Sequence, residues 1–433
     1  MSVPIRTVAL GAAIALTVPL LGITAADAHA THADGHHADP LAARSALGDD
    51  PKNRNGQGPL KVKLTNTANG KIKVHWKGKG PRKNFKPWKI VTSISRDMKI
   101  DRTVYHAKGK KRSKIVKHAP GVTPASGDYT FVKIYAKRKH GLKGGSSPTH
   151  WIQAPVTAVP TGNDRLVVGA FNVRDANLDS SGPYTWDNRK GNVYSNITNS
   201  GAGIVNIQEA SGQHGNDLFQ MRDIAQNTGY ALVNGGYYRN GGAITGEQGT
   251  RILYDPAYYQ VVASGAQLLS TDGGTSAPWA AWAEFRENAT GRVFYDISMH
   301  LTTGKAPAKE KLRSQQTSEV IGLAKHLSAA GNHEVIVAGD SNSTTNNKPR
   351  PMVHPQFVKA GFYDAFATRS ITGQAYPTTS SFDFPVKPGP FRRDVILTYN
   401  GPRGSFWYHN QWYNSAAQAA SDHFMQSAQL PLG

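Results

Sequence analysis

Asp340 and Asn342 stand two positions apart at the end of EVIVAGDSN, Glu334 to Asn342. Val335, Ile336 and Val337 read as a buried strand, and the chain turns at Gly339. At the end of an extended segment that spacing puts the carboxylate and the amide on one side. Together they can hold a water or a phosphate oxygen. Asp and Asn are also the usual residues of a plain strand-end turn, so the motif gains weight only from the polar strand ends that accompany it.

Several accompany it. LVVGAFNVR is an apolar strand ending on Asn172, with Arg174 two positions further on the same side; a single Asn there is also a turn former. GIVNIQEA ends in Gln208 and Glu209. A carboxylate at the end of a buried strand is costly unless it is paired or bound to a cation, so Glu209 is either a hard-metal ligand or the partner of an arginine. DISMH places His300 at a strand end, where a satisfied core histidine and a proton-transfer group look alike, and ASDHF sets Asp422 beside His423. Helices lie between these strands: WDNRKGNVYSNITNSG carries Trp186, Val193 and Ile197 at helical spacing with Gly201 as its stop, and KEKLRSQQTSEVIGLAKHL presents Leu312, Val320, Leu323 and Leu327 on one face.

The order of these blocks resembles the endonuclease/exonuclease/phosphatase superfamily, the group of pancreatic-type deoxyribonucleases, abasic-site endonucleases, neutral sphingomyelinases and inositol polyphosphate phosphatases. GTRILYDP (Gly249 to Pro256), DISMHLTTG (Asp296 to Gly304), FRRDVILTYN and the closing ASDHF continue the match over about 265 residues. The resemblance implies a four-layer α/β sandwich, two mixed β-sheets packed face to face with helices outside, and an active site at one edge of it. It implies that Glu209 binds Mg2+, with Mn2+ or Ca2+ as alternatives, and that Asn172 and Asp422 lie close to the ion. Asp340 would orient or deprotonate the attacking water, Asn342 would hold the phosphate, and His423 would contact the scissile phosphate while Asp394 orients it. His300 would serve the leaving-group side, with Glu247 as a candidate partner. AFNVR is similar to the opening of the pancreatic-type deoxyribonucleases, which makes Arg174 a phosphate-backbone contact, and Arg251 is a second candidate for the substrate phosphate. The sequence departs from the family pattern at Ser341, at Arg393, at Ser211 and at Phe424–Met425. None of these removes a catalytic group.

The chain has 433 residues and no cysteine, so stability must come from core burial. Residues 1–30 read as an export signal: Arg6, an apolar run from Val8 to Ile23 broken by Pro19, and small residues at Ala26, Ala28 and Ala30. The run is too short for a membrane span, so a secreted protein is expected, with a histidine-bearing linker over 31–56. Residues 57–155 read as a basic β-sandwich, 156–164 as a linker and 165–433 as the α/β part.

From Lys52 to Trp151 there are 26 Lys and Arg against 3 Asp and Glu, whereas Thr161 to Gly433 has 22 against 21, so nearly all of the formal +21 sits on the first module. Its pattern resembles a fibronectin type III domain, with Pro59 early, Trp76 inward and Tyr129 as the corner tyrosine. Its lysines, interleaved with His75, Trp88, Tyr105 and His140 on expected outward positions, suit a polyanion such as nucleic acid or an anionic cell-surface polymer; a solvated face is the competing reading. The leading expectation is a secreted nuclease. A sphingomyelinase-like phospholipase that enters membrane through Ala277–Trp282, and a surface-binding protein on a non-catalytic fold, are the alternatives.

Overall fold

The computed structural model describes residues 59–78, 85–136, 145–157, 160, 165–211, 219–233, 250–273, 278–401 and 403–432. Readings on residues 1–56, His140, Glu247 and Ala277 lie outside the described residues.

From Pro59 to Gln153 the alternating runs form two sheets. Pro59–Asn66, Ile72–Gly78 and Ser113–Val116 make an antiparallel three-stranded sheet; Trp88–Ser93, Thr103–Ala107 and Tyr129–Ala136, with the short Gly145–Ser146 and His150–Gln153, make the other. Along Ile72–Gly78 the period of two is strict, with Ile72, Val74 and Trp76 buried and Lys73, His75 and Lys77 exposed. Two expectations fail here. Trp88 is not on the outer face: it is fully buried, edge-on to Trp76 at 5.6 Å and stacked on Phe85 at 4.6 Å. Tyr129 is not a corner tyrosine, because its hydroxyl has no hydrogen bond among the described residues; its ring instead packs on Phe366, 6.0 Å away in the second half of the chain.

That second half is two sheets packed face to face. One runs in the order Ala231–Leu232, Arg251–Tyr254, Ile204–Gln208, Arg165–Asn172, Gln426–Pro431, Trp407–Asn410, Ile371–Thr372; the other Tyr259–Leu268, Trp279–Glu287, Val293–His300, Val335–Asp340, Asp394–Tyr399, Tyr363–Asp364. Each central strand is buried on both faces, which is why it reads as a continuous apolar run. Ile336 and Ala338 point between the sheets with Val168, Ala170, Ile204 and Phe294. Val335 and Val337 point outward to Val320, Ile321 and Leu327 of the helix Pro307–Gly331. On the opposite outer face Phe171, Val205 and Ile207 meet Val193 and Ile197 of the helix Trp186–Asn199 and Met221 and Ile224 of Phe219–Thr228. The four-layer expectation therefore holds. Among the described residues no helix is long and apolar enough to cross a membrane.

Strand register positions the site. Ile204–Gln208 runs parallel to Arg165–Asn172 with Gln208 opposite Asn172, and Val293–His300 runs parallel to Val335–Asp340 with His300 opposite Asp340. Asp340 in turn faces Asp394 across an antiparallel pair. His300, Asp340 and Asp394 thus form one row across three neighbouring strands. Gly339 helps lock that row: at φ +138° a Cβ there would lie 2.1 Å from the Met299 carbonyl oxygen, so no other residue fits.

The sandwich is continuous with this architecture. A single cluster of buried apolar side chains includes Val91, Met98, Phe131 and Trp151 from the sandwich and Phe366, Ile396 and Tyr408 from the second half. Gln153 Nε2 donates to the carbonyls of Gly127 (3.0 Å) and Phe366 (3.1 Å), and the Asp364 N–H donates to the Ala125 carbonyl (3.1 Å).

Candidate active site

At the strand ends the turn-forming and chemical readings of the polar residues turn out to be compatible. Asp340 Oδ1 accepts the Asn342 N–H (2.7 Å), closing an Asx turn, while Oδ2 accepts from Asn172 Nδ2 (3.2 Å) and lies 3.6 Å from both His300 Nε2 and His423 Nε2. Asn172 repeats the device: its Oδ1 accepts the Arg174 N–H (3.0 Å), and its Nδ2 also donates to Glu209 Oε1 (2.8 Å). Arg174, Glu209 and Asn342 all adopt left-handed backbone, at φ +58°, +59° and +49°. For Glu and Arg that costs about 1–3 kcal/mol each, and such strain gathers where a side chain must be aimed.

The two imidazoles differ. His423 Nδ1 faces both oxygens of Asp394, at 3.0 and 3.1 Å, in a fully buried pair. Burial would push this imidazole's pKa down, but Asp394 and Asp340 outweigh it and raise it to about 10, so His423 carries a proton at neutral pH. Burial likewise pushes the Asp340 carboxyl up, and His423 and His300 outweigh that, holding it ionised below the usual carboxylate range. His300 Nε2 meets Asn342 Nδ2 at 3.1 Å. The same amide nitrogen donates to the Leu301 carbonyl (2.9 Å), so Asn342 and His300 are held side by side at this strand end. Nδ1 is buried with no hydrogen bond among the described residues.

Glu209, His300 and Asp340 offer ligand atoms within 4.8 Å of one another. Asn172 Nδ2 donates to both carboxylates while its Oδ1 accepts from the Arg174 N–H, so the atoms here that fit a divalent cation such as Mg2+, Mn2+ or Ca2+ are the hard oxygens of Glu209 and Asp340. Asp422 joins the cluster less directly. Its Oδ2 accepts from Arg174 Nη1 (3.2 Å), and Arg174 is also forked onto Asp179. The guanidinium expected at a phosphate is therefore occupied by two carboxylates. Arg251 is buried at the start of its strand, opposite Ile207, and donates to the Thr250 carbonyl (2.8 Å).

Two buried ions that the sequence reading passed over hold the site loops. Glu310 and Arg313 pair inside the helix Pro307–Gly331 (Nη2–Oε2 2.7 Å) with no solvent contact to speak of. Arg313 Nη1 ties down the loop after His300 through the carbonyls of Thr302 (2.7 Å) and Gly304 (3.0 Å). Glu310 ties down the loop after Asn342, accepting from Ser343 Oγ, Asn347 Nδ2 and the Met352 N–H, each at 2.7 Å. Glu310, Arg313 and Gln316 continue the stripe of Val320, Ala324 and Leu327 at helical spacing, a pattern that polar residues on a solvated face share. Arg189, buried in Trp186–Asn199, does the same job elsewhere, donating to the carbonyls of Val173, Arg174 (2.6 Å), Tyr184 (3.0 Å) and Ala420 (3.0 Å) and so fastening the segments that carry Asn172 and Asp422.

Solved structures share this fold. An endonuclease/exonuclease/phosphatase family protein from Bacteroides thetaiotaomicron is 21% identical over 63% of this chain and 96% of its own, with a TM-score of 0.50. A mannosyl-6-phosphatase from the same organism is 21% identical over 61% of this chain and 98% of its own, with a TM-score of 0.51. This chain has the endonuclease/exonuclease/phosphatase fold. A sphingomyelinase C from Streptomyces griseocarneus is 16% identical over 62% of this chain and all of its own, with a TM-score of 0.47. No protein-family model matches the sequence, and comparison with curated proteins finds no match. Within the endonuclease/exonuclease/phosphatase fold, the strand ends described above are where this chain gathers its carboxylates and imidazoles.

Proposed function

We propose that this chain is a secreted, divalent-cation-dependent phosphodiesterase that hydrolyses extracellular nucleic acid by in-line attack of water. The observation that carries the reading is the meeting of Glu209, His300, Asp340, Asn342 and His423 at adjoining strand ends, with Asp340 ionised and His423 protonated. Phosphodiester hydrolysis needs a water held for in-line attack, charge neutralisation on the phosphoryl oxygens and help for the leaving oxygen. Asp340 Oδ2, which also accepts the Asn172 amide, is the oxygen that orients the water and accepts its proton. His423, fixed by Asp394, places its Nε2–H against a non-bridging phosphoryl oxygen and neutralises charge there. Asn342 holds the phosphate, and His300 serves the departing oxygen. When bound, a divalent cation would be held by Glu209, with Asn172 and Asp422 close by, and would supply further neutralisation of phosphoryl charge.

The nucleic-acid assignment rests on the sandwich, whose excess of positive charge is packed directly onto the α/β part. The membrane-insertion reading loses support: Trp279–Glu287 is a strand paired on both edges, with Ala280 and Ala281 buried and the Trp282 ring against Gly265. Purified protein offered plasmid DNA, RNA, sphingomyelin and a simple phosphodiester, each with Mg2+ and with chelator, tests the proposal. Cation-dependent cleavage of DNA or RNA that His423→Ala abolishes is the expected result. Release of choline phosphate without nicking, or DNA retention with no turnover of any substrate, overturns it.

A further inference from the structure

The two outer faces of the sandwich differ. Between its sheets, Val62, Leu64, Val74 and Trp76 meet Ile90, Val132 and Ile134. The sheet of Trp88–Ser93 and Tyr129–Ala136 turns its other side chains, Val91 and Phe131, into the core shared with Phe366 and Ile396 of the α/β part. The three-stranded sheet therefore presents its outer face away from the α/β part. Alternation puts Lys61, Lys63, Lys73, His75 and Lys77 on that face, and all five are exposed. Register gathers them. Lys61 lies opposite Lys77 and Lys63 opposite His75, at cross-strand positions about 5 Å apart. Lys73 and Lys77 are the diagonal neighbours of Lys63, about 7–8 Å away.

Nothing on this sheet balances the charge. From Pro59 to Arg96 the chain has no Asp or Glu, and the third strand, Ser113–Val116, has none. Among the described residues the lysines that pair with carboxylates are Lys190, Lys309 and Lys387, all in the α/β part. Like charges set opposite one another across a strand pair cost stability, so a face of this kind suits an occupant that brings closely spaced negative charge. A nucleic-acid strand does so, with a phosphate about every 3.4 Å of its axis. We propose that this sheet face is a nucleic-acid docking surface that holds phosphates without reading bases and acts as a remote anchor for the polymer. Packed layers lie about 10 Å apart, so the face stands two layers, on the order of 20 Å, from the α/β side chains beneath the sandwich. A polymer held there raises the effective concentration of its own distant segments at the catalytic edge. This rests on the nucleic-acid reading and deepens it: long substrates gain from the sandwich, and short ones that cannot span both places do not.

The test uses the full chain, because truncation near Pro160 would strip the shared core. A double variant of the face, Lys63→Ala with Lys77→Ala, is compared with Lys325→Ala plus Lys359→Ala, which removes equal charge from exposed helix positions of the α/β part. Unfolding midpoints of both are matched to wild type. The substrates are plasmid DNA and a tetranucleotide, which spans roughly 14 Å at 3.4 Å per nucleotide. The face variant is expected to bind plasmid in chelator with a salt slope smaller by about two, and to show a plasmid KM higher on the order of tenfold with kcat held. Its KM for the tetranucleotide should not change, and the control variant should alter none of these appreciably. Equal effects of the two double variants, an unchanged plasmid KM, or an equal rise in KM for the tetranucleotide would overturn the proposal. Lost retention on heparin with plasmid binding intact would give the face to another polyanion and overturn it as well. Plasmid binding in chelator that the face variant weakens, by a protein that cleaves only a simple diester with Mg2+, would support the docking surface and overturn the nuclease reading alone.

Discussion

Asp340 is asked to do two things, and its two oxygens divide them. One builds the turn that presents Asn342, and the other faces both imidazoles. Asp340→Asn keeps an acceptor for the turn and removes the proposed base, so kcat should fall by about 10²–10⁴ while the unfolding midpoint barely moves. Asp394→Asn acts through His423. It removes the charge that keeps the imidazole protonated, and it should lower kcat and shift the alkaline limb of the pH–rate profile downward from its wild-type position near the pKa of about 10. The polar strand ends could be read from the sequence because each follows an apolar run directly. Which partner each would meet could not, since Asn172 and Asp340 are separated by 168 positions and joined only by sheet packing. Trp88 was misplaced for a related reason: alternation gives the period of a strand, and only the packed partner decides which face is inside.

At the level of elements, parallel strand pairs and the Glu310–Arg313 helix do the positioning. A buried ion pair loses heavily when one member is removed, because the other is left as an uncompensated charge. Glu310→Ala should therefore cost about 3–5 kcal/mol by urea denaturation, and it should depress kcat as well, since the loops after His300 and Asn342 both hang from this pair. Gly339→Ala should fail to accumulate as folded protein, for want of space against the Met299 carbonyl. Apolar stripes announced the helices and the four layers. The polar half of the long helix did not announce its burial, because Glu, Arg and Gln at helical spacing look the same on a solvated face.

Across the whole molecule, the junction between sandwich and α/β part is locked by four charged groups. His354 bridges Asp128 (2.9 Å) and Asp364 (2.7 Å), and Arg392 pairs with Asp364 at 2.6 Å. Burial pulls the His354 pKa down, and Asp128 and Asp364 overcome it, raising it to about 9; burial pushes Asp364 up, and Arg392 and His354 bring it to about 2. A histidine with a raised folded pKa stabilises fully below its unfolded value of about 6.5 and loses that contribution as pH rises through about 9. The depressed Asp364 contributes above its unfolded value and loses its share as pH falls through about 2. Urea midpoints of wild type should thus drop between pH 7 and pH 9.5, and His354→Gln should be less stable at pH 7 and lack most of that drop. The charge asymmetry of the two halves was plain in the sequence, whereas this junction was not: its members come from residues 128, 354, 364 and 392 and share no local motif.

Turnover of plasmid DNA with Mg2+ by wild type and by His423→Ala, at equal folded concentration, bears most directly on the claim that these strand ends are a hydrolytic site. The arrangement of Asp340, Asp394 and His423 predicts nicking by wild type that chelator stops, and at least a hundredfold loss in the variant. Equal nicking by the two proteins, or wild-type nicking that persists in chelator, would contradict it.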